Sequence, residues 1–292
     1  MSSPAVSTAV SLQNILLPTD FSSCSELALL YASSLCRRYG STLCTVTVVP
    51  EEITDYVQPP DPFYLRHSAE KKMAELAGSE QLQGIKHRQL VREGFVSETV
   101  LTLIDRLGID LVVLGTHGRG GVKKLVLGSV AEEIVESARC PVLTVGPKAL
   151  PKADVKLHRI LCAIDLLHGS ATELTYALWL TEQEHAHLTL LHVLKPPSHV
   201  PPGYAESEKK MTTKRLRQLL PPETSADMEP EFTVEIGTPG EHILKVAERQ
   251  NADLIVIGPH HTAFARASTH LPWATPHQVL CHARCPVLTV QN

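Results

Sequence analysis

This chain repeats itself. Ala138-Arg139-Cys140-Pro141-Val142-Leu143-Thr144-Val145 returns letter for letter at Ala283–Val290, 145 residues later. Ile15-Leu16-Leu17-Pro18-Thr19-Asp20 is echoed at the same offset by Ile160-Leu161-Cys162-Ala163-Ile164-Asp165. Asp110–Gly115 matches Asp253–Gly258 at an offset of 143, and Glu70–Met73 matches Glu208–Met211 at 138. Offsets that drift between matches are what a duplicated domain with loop insertions leaves behind. The 292 residues have room for about two ordinary domains. The repeat divides them into copies at 11–147 and 156–292, with Pro147, Lys148, Pro151, Lys152 and Asp154 giving the seam a linker composition.

Composition narrows the class. Hydrophobic residues at 43% and charged residues at 20% describe a chain that folds, and no run of about 18 apolar residues is present to cross a membrane. A net charge of −4 and 4% aromatic residues supply neither the basic field nor the stacking platforms of a nucleic-acid binder. Neither nucleic acid nor membrane is therefore expected as a partner. Met1–Val10 lacks the basic start of a targeting segment and reads as a lead-in to the fold. Seven scattered cysteines, an odd number, suggest reduced thiols and a cytoplasmic location.

Within the first copy, short apolar runs alternate with helical periodicity. Strands are expected at Asn14–Pro18, Leu43–Val49, His87–Val91, Leu111–Leu114 and Pro141–Val145. Helices are expected at Ser22–Tyr39 (closed by Gly40), Tyr64–Leu82, Val96–Leu107 and Ser129–Ala138. The second copy repeats the order with strand Arg159–Ile164, helix Ser170–Gln183 and strand Leu188–Leu194. Strands apolar along their whole length, alternating with helices, imply parallel sheets covered on both faces. The expected architecture is α/β: two tandem doubly wound domains, Rossmann-like or flavodoxin-like, each with a five-stranded parallel sheet. In such folds ligands sit at the carboxyl ends of the strands, where strand order reverses.

The fourth strand of the first copy ends in Gly115-Thr116-His117-Gly118-Arg119-Gly120-Gly121-Val122-Lys123-Lys124-Leu125-Val126-Leu127-Gly128-Ser129. Glycines let backbone approach a ligand closely, and the loop enters a helix whose free N–H groups attract an anion. Ser129 adds a hydroxyl, and Arg119, Lys123 and Lys124 add positive charge. This is the chemistry of a phosphate cradle, but neither the P-loop nor the GxGxxG spacing is present.

The spacing G-x2-G-x9-G-S (Gly115, Gly118, Gly128, Ser129), with Pro18-Thr19-Asp20 and the Cys-Pro-Val-Leu-Thr-Val strand, resembles the universal stress protein family over nearly the whole chain. The resemblance implies membership of its ATP-binding branch. It implies that Gly115, Gly118, Gly128 and Ser129 line ribose and phosphates, with Val130 following. Asp20 and Val48 would sit by the adenine, and Pro18, Thr19, Leu114, His117 and Arg119 would complete the set. The implied cofactor is ATP, with or without Mg2+. The family also pairs domains through their last strands, so the two copies are expected to pack as a pseudo-symmetric pair. Homodimerisation of whole chains and unidentified protein partners stay open.

The second copy departs from the pattern. After Gly258, His261 replaces the second glycine, no Gly-Ser pair follows, and the stretch to the last strand is two residues longer. Asp165 and Val193 persist. Twelve of the fifteen histidines lie from His158 onward, several in this loop, yet no CxxC or HExxH spacing appears, so no metal is expected. Two functions are consistent with these residues. One is a nucleotide-responsive signalling protein loaded in its first half. The other is a slow ATPase or a phosphoryl- or nucleotidyl-transfer enzyme, for which no catalytic residue can be assigned.

Overall fold

The computed structural model describes residues 10–50, 62–118, 127–151, 155–167, 171–195, 203–222, 224, 228–258 and 274–291. The first half runs β1 (Asn14–Pro18), α1 (Ser23–Tyr39), β2 (Thr42–Val49), α2 (Pro62–Ala77), β3 (His87–Glu93), α3 (Val96–Leu107), β4 (Leu111–Gly115), α4 (Ser129–Ser137) and β5 (Val142–Val145). The second runs β6 (Arg159–Ala163), α5 (Ala171–Glu184), β7 (His187–Leu194), α6 (Tyr204–Gln218), β8 (Glu231–Ile236), α7 (Pro239–Arg249), β9 (Leu254–Ile257), α8 (Ala274–His282) and β10 (Val287–Thr289).

The ten strands form one sheet in the order β3-β2-β1-β4-β5-β10-β9-β6-β7-β8. Within each half all pairs are parallel, as expected. The halves join through their last strands, which run antiparallel with Leu143 opposite Leu288. Val142–Val145 is buried throughout, so the seam removes from water the apolar edge that each half would otherwise expose. Two apolar clusters, one on each face, run the length of the sheet and include residues from both halves.

The duplication survives in small details. Asp110 Oδ2 accepts the backbone N–H groups of Gln13 and Asn14, both at 2.8 Å. Asp253 Oδ2 does the same for His158 at 3.0 Å and Arg159 at 3.1 Å. Helix ends differ more. Gly40 (φ 68°) closes α1 in the left-handed region, where the second half places His185 (φ 50°). Gly108 (φ 57°) closes α3, and Asn251 (φ 50°) stands at the matching position.

One expected helix is shorter than its apolar spacing suggested. α2 stops at Ala77, and Leu82, buried at 1% exposure, is delivered by a separate 3-10 turn at Glu80–Leu82. Gly78 and Ser79 interrupt the helix there, so an apolar residue in phase with it is held by a turn instead.

Candidate functional site

In each half the chain leaves its first strand in one direction along the sheet and returns on the other side. Strand order therefore reverses between β1 and β4, and again between β6 and β9. At such a switch point the loops diverge and open a crevice at the carboxyl ends of the strands.

In the first half three segments meet at this crevice. The first is the end of β1. Thr19 donates its backbone N–H to Val46 O at 2.8 Å, which holds it beside β2. Asp20 Oδ1 accepts from the Ser22 N–H (3.0 Å) and the Ser25 hydroxyl (2.9 Å). Ser22, the N-cap of α1, accepts from the Ser25 N–H. Asp20 thus steadies the start of α1 without being its cap. Phe21 turns the chain between them with φ 60°, a backbone region that a bulky residue enters only at a cost. Lys72 of α2 lies 5.4 Å from the centre of its ring. Pro18, Thr19 and Asp20 are all partly exposed at this strand end.

The second segment leaves β4. Leu114 is buried in the core beneath, while Gly115 marks the strand's last residue. A Cβ at 115 would stand 2.7 Å from the backbone carbon of Cys24, so close contact between α1 and β4 already requires glycine here. Thr116, 1% exposed, donates its N–H to Val145 O at 3.1 Å. The Ser22 hydroxyl reaches His117 O (3.3 Å), and Thr116 Oγ1 lies 2.8 Å from His117 Nδ1. Burial lowers the His117 pKa, favouring a neutral imidazole. At Gly118, which is exposed, a Cβ would come within 3.0 Å of Asp20 Oδ2.

The third segment is the loop's return. Gly128 donates its N–H to Thr116 O at 2.9 Å, and a Cβ at 128 would press on that same oxygen at 3.4 Å. The loop therefore leaves and re-enters at one point. Gly128 is the N-cap of α4 without a side-chain capping bond, and Ser129 and Val130, both exposed, form its first turn. Their N–H groups point outward from a helix N-terminus, where partial positive charge collects. Val48 lies near the carboxyl end of β2, partly exposed. The expected residues Pro18, Thr19, Asp20, Val48, Gly115, His117, Gly118, Gly128, Ser129 and Val130 thus converge on the carboxyl edge of β2-β1-β4, with Leu114 underneath. Arg119, Lys123 and Lys124 lie outside the described residues.

Among its described residues the second half repeats one part of this arrangement. Asp165 Oδ1 accepts the Leu167 N–H at 2.9 Å, repeating the Asp20 turn. At Gly258, however, a Cβ would overlap Glu173 Oε1 at 1.7 Å. Glu173, in the first turn of α5, is 1% exposed, and its Oε2 has no hydrogen-bond partner among the described residues. Burial, with a smaller push from Asp165, raises its pKa to about 7. Sequence reasoning missed this residue, because a glutamate in a helix's first turn normally reads as a solvated favourable charge. His260, His261 and His270 lie outside the described residues. Among the described residues no group of three or more His, Cys, Asp or Glu side chains could hold a metal ion. All seven cysteines are buried free thiols. No described helix is long and apolar enough to cross a membrane.

Concavities of about 760 and 1040 Å3 exist at the amino ends of the second half's strands, sharing Arg159, His187 and Asn251, the second also touching Tyr31, Lys148 and Leu150. They lie on the side of a doubly wound sheet that does not carry its switch-point crevice.

These features define a tandem doubly wound α/β protein whose first half brings Asp20, His117, Gly118 and the N-terminus of α4 together at its switch point. The universal stress protein family model matches residues 11–146 and again 156–291, and the chain belongs to that family. It is similar to universal stress protein MJ0531 of Methanocaldococcus jannaschii, 26% identical over 46% of this chain and 81% of that protein. A Thermus aquaticus universal stress protein is 31% identical over 46% of this chain and 98% of its own length. The crystal structure of a universal stress protein from Archaeoglobus fulgidus covers 96% of this chain and 99% of its own at a TM-score of 0.73 and 21% identity, a likeness of fold.

Proposed function

We propose that this chain is a nucleotide-responsive universal stress protein that binds one ATP, in its first half. The observation that carries the reading is the Thr116–Gly128 closure. It brings the Gly118 backbone, Asp20 and the uncapped first turn of α4 to one exposed spot at the switch point. Polyphosphate fits this chemistry, because backbone donors and a helix N-terminus both favour anions. Gly118, Gly128, Ser129 and Val130 would hold phosphate and ribose, with Asp20 and Val48 toward the base. Gly115 would act indirectly, by letting β4 lie against α1. Bound nucleotide alters partner contacts only if two states of the chain differ in ATP affinity. Calorimetric titration of the intact chain tests the reading: one ATP per chain is expected, and two sites or none would refute it.

His117 favours a second reading, slow hydrolysis, because a neutral imidazole at the crevice can accept a proton. Release of inorganic phosphate over hours, lost in His117→Ala with ATP binding retained, would support it.

A further inference from the structure

Helices α1 and α5 lie on the same face of the sheet and meet across the seam. Tyr39 donates its hydroxyl hydrogen bond to Glu184 Oε1, and Arg38 Nη1 pairs with Glu184 Oε2. The Glu184 side chain is only 4% exposed, and the Tyr39 and Trp179 ring centres stand 5.3 Å apart. Tyr39 and Glu184 occupy the same position in the two copies, 145 residues apart, as do Leu143 and Leu288, which face each other in the strands. The pseudo-twofold axis therefore passes between Tyr39 and Glu184. Two residues at equivalent positions have become different and complementary.

Pairing like with like would undo this complementarity. Two first halves would set Tyr39 against Tyr39 and bring two Arg38 guanidinium groups together with no carboxylate. Ser34, which matches Trp179, would leave the ring's space empty on both sides. Two second halves would set buried Glu184 against Glu184, and Gln183, which matches Arg38, supplies no cation. Each Trp179 ring would then face a glutamate in the place of Tyr39. An uncompensated buried charge is strongly unfavourable, and such clashes are how interfaces reject wrong partners.

We propose that Arg38, Tyr39, Trp179 and Glu184 form a pairing code, so that the α1/β5 surface accepts a second-half module and refuses a copy of itself. Specificity is separable from mere strength of contact. A contact that only stabilises would weaken every pairing when removed and leave partner choice random.

The test uses the whole chain with a protease site inserted between residues 147 and 155, cut after folding. Unlabelled and 15N-labelled samples are equilibrated together, and native mass spectrometry counts first–first, first–second and second–second pairs. Random choice gives a one-to-two-to-one mixture. The code predicts that the unlike pair makes up more than about nine-tenths, an excess that requires only a tenfold preference. Arg38→Glu or Glu184→Arg should each move the populations toward random pairing, and the double variant R38E/E184R should restore unlike pairing. A random mixture in the parent chain, separation into monomers, or failure of the double variant to restore the preference would overturn the proposal.

Discussion

Gly115 and Gly258 end equivalent strands in the two halves, yet each glycine makes room for something different. At Gly115 the space a side chain would need is taken by the backbone of α1 at Cys24. At Gly258 it is taken by the carboxyl group of Glu173, which stands where the first half has Ala28. A glycine that survives duplication is therefore not by itself the mark of a ligand. The halves differ beyond it, where Gly118 lies against Asp20 and Gly128 returns to Thr116.

The strongest way to break this comparison is to give the first half the second half's residue. Gly118→His copies His261 and drives a ring toward Asp20. Losing two or three phosphate hydrogen bonds at about 1.5–3 kcal/mol each should weaken ATP binding at least a hundredfold. An unchanged dissociation constant by calorimetry would show that position 118 does not separate the halves.

Next in size is Gly115→Ala, whose methyl group meets rigid backbone and should cost about 3 kcal/mol in urea unfolding. Gly258→Ala should also destabilise, but far less in a Glu173→Ala background, because that change empties the space. Equal costs in both backgrounds would mean that Glu173 does not set the glycine requirement at 258.

Glu173 itself sharpens the contrast through pH. Its folded pKa of about 7 exceeds its ordinary value of 4.5, so the folded state holds the proton longer than the unfolded chain. Stability should therefore fall as pH rises from about 4.5 to about 7 and level off above. Glu173→Gln should remove that slope and add on the order of 2–3 kcal/mol at pH 8. Parallel stability–pH curves for parent and variant would contradict the assignment.

The smallest effect is expected at a helix end. His185→Gly gives α5 the closure that Gly40 gives α1, and relief of the left-handed backbone should raise stability by about 0.5–1 kcal/mol. Thermal unfolding would detect it, and a loss of stability would show that the imidazole contributes more than its backbone strain costs.

Much of the architecture was legible in the sequence because it rests on local pattern. Apolar runs of strand length, helical spacing between them and a clear internal repeat were enough for two doubly wound halves, and the resemblance to the family implied that they join by their last strands. The candidate crevice was legible for a similar reason: its residues cluster at the ends of β1 and β4. What stayed hidden depends on contacts between distant segments. The approach of Cys24 to Gly115 leaves no trace in either residue's neighbours. Glu173 reads as a surface charge until α5 is laid against β9. Tyr39 and Glu184 look unremarkable until the axis between the halves is known, and Leu82 fits the helical phase that Gly78 interrupts.

The antiparallel seam has a consequence for valency. Because β5 and β10 run in opposite directions, the carboxyl edges of the two parallel sheets lie on opposite borders of the ten-stranded sheet. A chain with both crevices loaded would present ligand at both borders and could bridge two partners. Loaded only in its first half, as proposed above, this chain would have one such border and would act as a monovalent cap. A partner reading that border would meet the amino ends of the second half's strands, around Arg159 and His187, whereas Gly258 stands at the opposite border.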